Sequence, residues 1–310
     1  PIHIACIPVW DREWVFLVKQ AGLCYFYVMN AVKKPEAIPA ATLILAKPHG
    51  NGFKVYLLKR SPKSRFLPGV YVFPGGAVDP EDREFERWKF HLDMDSEGIY
   101  RHLGGSGFST EEALPFALAA MRETFEEAGV WLARRRGSEN GDIGARLKLR
   151  EQANLTPGWF MRAVEKQSWA LDLSKINRWS HWLTPHGMPF RFDTRFFLTR
   201  MPEDQVCRPD MKETVGGCWV TPREALEGGL SGEMPLSPPI VVTLHQLEAH
   251  GSFDELMNGA SRRPWGEAFL PRLIPLSRGN IFIEPWDPMY HEDRIRIERP
   301  PRESDVLPAG

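Results

Sequence analysis

Arg122-Glu123-Thr124-Phe125-Glu126-Glu127-Ala128-Gly129-Val130 places three carboxylates within five positions and then meets a glycine. Upstream, Pro115 to Met121 supplies good helix formers, and Gly129 stands where a helix C-terminus puts a left-handed residue. On a helix, Glu123, Glu126 and Glu127 fall at i, i+3 and i+4 and project from one face, while Leu118, Met121 and Phe125 turn toward a core. Like charges so placed repel by a few tenths of a kcal/mol for each exposed pair, and a divalent cation would relieve them. A solvated acidic face with Arg122 as local partner is the plain alternative, and spacing alone leaves both open.

Working outward, Phe73-Pro74-Gly75-Gly76 follows a β-like run, Gly69-Val70-Tyr71-Val72. Glycines let a backbone approach a phosphate or a metal closely. The two stretches together resemble the ends of the Nudix box, G-x5-E-x7-R-E-U-x-E-E-x-G-U, where U is aliphatic. Thr124 stands at the first U. Five residues on from Gly76 lies Asp82, and five on from Gly75 lies Glu81. Between Asp82 and Arg122 stand 39 residues. The motif has about seven there, so roughly thirty are inserted, at about 83–114, a loop length that closure entropy tolerates. The resemblance implies an α/β Nudix fold, a mixed β-sheet sandwiched between α-helices, with this insertion between the FPGG loop and the catalytic helix.

A basic loop leads into the glycines. Arg60, Ser61, Arg65, Gly69 and Phe73 to Gly76 keep the register R-S-x3-R-x3-G-x3-F-P-G-G. That pattern resembles the signature accompanying the box in coenzyme A diphosphatases, although Leu57-Leu58-Lys59-Arg60 lacks the threonine of its usual L-L-T-x-R opening. Guanidinium grips phosphate bidentately, so two arginines suit a ligand with an extra phosphate. A solvated basic loop is the bland alternative. The long insertion is similar to the coenzyme A and acyl-coenzyme A diphosphatase branch.

The resemblance implies water attack on a diphosphate, giving 3′-phospho-AMP and (acyl-)4′-phosphopantetheine. It implies that Glu123, Glu126 and Glu127 hold Mg²⁺ or Mn²⁺, with a backbone carbonyl near Gly75 completing the site, and that Arg122 orients the glutamates. Glu213, six positions before Trp219, or one of the helix glutamates would take the proton of the water. Arg60, Ser61, Arg65, Gly75 and Gly76 would contact substrate. Arg191 and Arg195, spaced to share one face of a strand, would reach its phosphate or else pair with local carboxylates. Two further readings stay open: a Nudix hydrolase of another nucleoside diphosphate derivative such as ADP-ribose or NADH, and an inactive Nudix binding module.

Bulk properties bound the rest. The chain has 310 residues, 43% hydrophobic and 25% charged, ordinary for a soluble globular protein. A net charge of −1 argues against a partner as polyanionic as nucleic acid, and leaves a small anionic substrate in a local basic pocket. Cys6, Cys24, Cys207 and Cys218 form no CxxC pair, so reduced thiols are expected and a structural zinc is not. Trp14 to Met29 is aromatic but carries Lys19 and Gln20, too short and too polar to span a bilayer, and no signal-peptide pattern precedes it. With a C-terminus of Leu-Pro-Ala-Gly rather than a peroxisomal S-K-L, a cytoplasmic protein without membrane partners is expected, with room for a homodimer.

The expected organisation is an N-terminal extension at 1–35 holding a strand pair, a Nudix domain at 36–297 and a mobile tail at 298–310. Within the domain, Ala40–Leu45 and Phe53–Leu58 read as a hairpin about His49-Gly50-Asn51-Gly52. Phe85–Leu92 reads as partly helical, and Ser109-Thr110-Glu111-Glu112 as a capping box. Arg134–Gly141 reads as an exposed loop, and 147–171 as two helices broken at Thr156-Pro157-Gly158. Trp179–Pro185, Arg191–Leu198 and Asn280–Glu284 read as strands. Thr221–Leu226, Pro238–His250 and Ser252–Met257 read as helical.

Overall fold

The computed structural model describes residues 2–9, 13–20, 23–29, 36–64, 66–104, 108–135, 149–150, 156–188, 190–276, 279–283, 285, 287, 290 and 296–297. Two compact units emerge, a smaller one of Pro1–Ile38, Trp182–Asp193 and Ala268–Gly310, and a larger one of Pro39–His181 and Thr194–Glu267. In the smaller unit the N-terminal segment forms three strands rather than a pair, β1 (Ile2–Val9), β2 (Glu13–Gln20) and β3 (Leu23–Met29), in an antiparallel meander. Ile2 and His3 pair with Ile297 and Arg296 from the far end of the chain.

The larger unit opens with the expected hairpin, β4 (Ile38–His49) and β5 (Gly52–Arg60), closed at the His49–Gly52 pair. Gly50 takes φ +56° there, a left-handed conformation that costs glycine nothing. Short strands β6 (Tyr71–Val72) and β7 (Gly75–Ala77) follow. The inserted segment holds helices α1 (Phe85–Trp88) and α2 (Ser96–Leu103), the second not anticipated. Next comes α3 (Thr110–Ala128), one continuous helix through Pro115. Ser109 caps it, accepting from the Glu112 N–H while the Glu112 carboxylate accepts from the Ser109 N–H. Proline at the sixth helical position removes the bond to the Glu111 carbonyl, a residue exposed to water, so the helix continues.

β8 (Ala133–Arg135) pairs antiparallel with β9 (Trp169–Leu171), which corrects two expectations. Arg134 and Arg135 are strand rather than loop, and Trp169–Leu171 is strand rather than helix. Helix α4 (Trp159–Gln167) ends at Ser168, whose φ of +53° reverses the chain and sends the apolar Trp-Ala-Leu run into the core as a buried edge. The strands β10 (Asn177–Leu183) and β11 (Phe192–Arg200) match expectation, as do helices α5 (Pro222–Ser231), α6 (Pro238–Glu248) and α7 (Phe253–Ser261), while the strand β12 (Thr214–Val220) was not anticipated. In the smaller unit β13 (Arg272–Leu276) and β14 (Gly279–Ile283) form a hairpin, and β15 is Arg296–Ile297. The tail at 298–310 lies outside the described residues.

The main sheet runs β10-β11-β4-β5-β12, with β6 on β5 and β7 on β4. Ala41, Leu43 and Leu45 of β4 and Tyr56 and Leu58 of β5 join Leu118, Met121 and Phe125 of α3 in one core cluster. The alternate residues Ile44, Ala46, Val55 and Leu57 are buried too, so both faces of these strands are covered. This two-sided burial fixes β4, and β4 in turn holds β7 beside α3.

Candidate active site

Register places the glycines. β7 pairs with β4 as Ala41 opposite Gly76 and Thr42 opposite Gly75. A Cβ on Gly75 would stand 2.3 Å from the Ala41 carbonyl oxygen, and one on Gly76 would stand 2.4 Å from the Glu123 carboxyl carbon. One glycine therefore admits the neighbouring strand and the other admits the helix. The Gly75 N–H donates to Glu127 Oε2 at 2.9 Å, which joins the elbow to the acidic helix directly.

The helix ends where the sequence predicts. Gly129 closes it with φ +73°. Arg150 supplies a cap that the sequence did not disclose, its Nη2 donating to the carbonyls of Glu126 and Glu127, each at 3.0 Å. A Cβ at position 129 would meet the same guanidinium at 2.9 Å, so glycine is required twice over.

Arg122 is the hub, 5% exposed. Its Nη2 donates to the Ala77 carbonyl at 2.7 Å and to Asp82 Oδ2 at 2.9 Å, and its Nη1 to Glu123 Oε1 at 2.7 Å. Glu126 Oε1 lies 3.7 Å from Nη1. Of the two acidic residues that counting offered, Asp82 is the one that reaches Arg122, and it also accepts from the Asp79 N–H. The insertion leaves before α1 and returns at α3 without displacing it.

Charge in this site is held against water. Burial, and after it the charge of Glu126, pushes the Glu123 carboxyl up to about 7 although Arg122 opposes the shift. Glu127 is raised well above the usual range by burial and by Glu123, and Glu126 is raised by burial. Burial also raises Asp82 despite its guanidinium partner. For Arg122, burial works against the charge, and Glu123 with Asp82 outweighs it, so its pKa is raised.

Three desolvated carboxylates of raised proton affinity fit a hard divalent cation in donor chemistry. They do not form a ready cage. Glu123 takes Arg122, Glu127 takes the Gly75 N–H, and Glu126 takes the Trp159 indole, while no group of three or more His, Cys, Asp or Glu among the described residues is arranged to hold an ion.

The other expected site residues divide. The Arg60 N–H donates to the Val70 carbonyl and its Nε to Phe66 O at 3.1 Å. The Ser61 N–H donates to the Glu213 carbonyl at 2.9 Å, so the basic loop and the strand leading to Trp219 are tied together. Arg60 lowers and Glu213 raises the proton affinity of Glu127, so both charges act on the site. Glu213 is exposed, its N–H bonded to Asp210. Arg65 lies outside the described residues. Arg195 is packed among aromatic rings, its guanidinium 4.4 Å from the Phe108 centroid and 5.1 Å from Trp265. Arg191 lies in the smaller unit, buried, with Nε donating to the Thr184 carbonyl at 3.1 Å. These contacts set both guanidinium groups against protein atoms, Arg191 against a backbone carbonyl and Arg195 against aromatic faces.

Beside Arg122 and Glu126 opens a cleft of about 320 Å³, lined by Asp79, Glu81, Trp88, Trp159 and Phe160 among others. Trp159 had no signal in the sequence beyond following a Thr-Pro-Gly break. Among the described residues no helix is long and apolar enough to cross a membrane, and Cys207 and Cys218 are free.

Comparison with known proteins agrees with this geometry. A family model described as the NUDT19 Nudix domain matches residues 28–247. The chain is 32% identical over 287 residues to a Homo sapiens protein named acyl-coenzyme A diphosphatase NUDT19, covering 81% of this chain and 76% of the relative. It is 29% identical to the Xenopus laevis protein of the same name, covering 78% and 73%. Among solved structures, a NUDIX hydrolase from Alicyclobacillus acidocaldarius superposes with a TM-score of 0.61 at 27% identity, over 74% of this chain and 99% of the other. With its box assembled around Arg122 and its likeness running through most of its length, the chain belongs to the NUDT19 Nudix domain family and is a Nudix hydrolase.

Proposed function

We propose that this enzyme cleaves the diphosphate linkage of coenzyme A or acyl-coenzyme A, giving 3′-phospho-AMP and (acyl-)4′-phosphopantetheine. The observation that carries the reading is the Gly75 N–H on Glu127, because it makes the elbow and the acidic helix one site. Likeness to proteins named acyl-coenzyme A diphosphatase supports the substrate class.

In this reading Glu123, Glu126 and Glu127 hold Mg²⁺ or Mn²⁺, with a backbone carbonyl near Gly75. The cation, when bound, neutralises diphosphate charge and lowers the pKa of a bound water. The chain's own groups do the rest. Arg122 keeps Glu123 in place at 2.7 Å while Asp82 keeps Arg122 in place at 2.9 Å. Gly75 and Gly76 bring backbone against the site without side-chain bulk. Glu213 or a helix glutamate takes the proton of the attacking water. Arg60, Ser61 and Arg65 meet the 3′-phosphate of the ligand.

A substrate panel with product analysis tests this. Coenzyme A should be cleaved in preference to ADP-ribose and NADH, and Arg65→Ala should raise KM for coenzyme A more than for its 3′-dephospho analogue. Preference for ADP-ribose or NADH would move the enzyme to another substrate class. Equal effects on the two coenzyme A forms would remove Arg65 from the phosphate.

A further inference from the structure

Glu126 is the box carboxylate that lines the cleft, and its hydrogen-bond donor comes from outside the box. Trp159, the first residue of α4, donates its indole N–H to Glu126 Oε1 at 2.5 Å. The ring is wedged, 5.6 Å from Phe125 and 5.4 Å from Phe160 between centroids. Its backbone is fixed as well. Gly158 takes φ +70°, and a Cβ there would come within 3.1 Å of Arg162 Nη1 and 3.3 Å of Glu81 Cγ. Arg162 in turn bonds the Pro157 carbonyl and Thr156 Oγ1, each at 2.7 Å.

An indole N–H is a donor only. It can hold a carboxylate but cannot itself ligate a cation. Both Trp159 and, at 3.7 Å, Arg122 address Oε1, and no hydrogen bond among the described residues engages Oε2. We propose that Trp159 is a positioning residue, whose indole N–H orients Glu126 so that its second oxygen is presented to a divalent cation. The proposal rests on the reading of Glu126 as a cation ligand. Groups that orient a metal ligand from behind commonly change affinity or activity by about 10- to 100-fold when removed. A tryptophan present only for packing would keep most of its contribution as phenylalanine, which retains a ring and loses the N–H.

The test is Mn²⁺ binding, followed by electron paramagnetic resonance of the free ion, for wild type, Trp159→Phe, Glu126→Gln and the double variant. The expected result is affinity about 10- to 100-fold weaker in Trp159→Phe, and a double variant no weaker than Glu126→Gln alone. The same Trp159→Phe change should lower kcat and leave KM for coenzyme A in place. Wild-type affinity in Trp159→Phe with weakened binding in Glu126→Gln overturns the role of Trp159 alone. Losses that multiply in the double variant also overturn it, because the two residues then act independently. Wild-type affinity in Glu126→Gln overturns the ligand reading and this inference together. Should Trp159→Phe fail to fold, the ¹⁹F resonance of 5-fluorotryptophan at position 159 replaces it. A shift on adding Mg²⁺ that Glu126→Gln abolishes supports the role, and an unmoved resonance overturns it.

Discussion

Arg122 separates two kinds of carboxylate. On one side stands Asp82, 2% exposed, locked between the guanidinium at 2.9 Å and the Asp79 N–H. On the other stand Glu123 and Glu126, with side chains 16% and 20% exposed, one glutamate under a glycine and the other lining a cleft. In the proposed function the first side is architecture and the second is chemistry. The contrast explains why the long insertion is tolerated. It separates the architectural acid from its arginine in sequence while leaving them in contact in space, and it never passes between Arg122 and the glutamates.

Removing charge from the chemical side should cost the most turnover. Glu126→Gln and Glu127→Gln should each lower kcat by about 100-fold or more while circular dichroism stays that of the wild type. Near-normal turnover in both would erase the distinction between the two sides. On the architectural side, Asp82→Ala leaves a buried guanidinium short of a partner and should cost about 3 kcal/mol of stability by urea unfolding. A loss below about 1 kcal/mol would mean that Glu123 and the Ala77 carbonyl suffice for Arg122.

The pH dependence sharpens the contrast further. The Glu123 pKa rises from 4.5 to about 7 in the folded protein, so between those values the native state binds more protons than the unfolded state. Stability of the metal-free protein should therefore fall as pH rises from about 4.5 to about 7, by about 3 kcal/mol, and saturating Mg²⁺ should flatten the slope. A stability that rises across that window, without metal, would contradict the burial assigned to Glu123. The smallest expected effect is at Thr124, whose hydroxyl is fully buried without a hydrogen-bond partner among the described residues, at the box position that is ordinarily aliphatic. Thr124→Val should raise stability by about 1 kcal/mol and leave kcat unchanged.

Local signals carried well from sequence to structure. The β4–β5 hairpin was legible because Gly50-Asn51 forms a two-residue turn between apolar runs, and α3 because Ser109, Glu112 and Gly129 mark its ends within the chain itself. What stayed hidden depends on residues far apart in sequence. Trp159 meets Glu126 across 33 positions, Arg150 caps the same helix from 24 away, and Asp82 meets Arg122 across 40. No periodicity encodes such pairings. Arg195 shows the converse. Alternation along β11 placed it on a sheet face, but only tertiary packing determined that Phe108, Phe116 and Trp265 cover that face. Trp169–Leu171 was lost to the helix reading because a short apolar run carries no period of its own.

Product analysis of coenzyme A incubated with the enzyme and Mg²⁺, beside the Glu126→Gln variant, reaches the centre of the account. Equal amounts of 3′-phospho-AMP and 4′-phosphopantetheine from the wild type, and almost none from the variant, are the predicted result. Intact coenzyme A in both tubes, or the same yield from both, would contradict it.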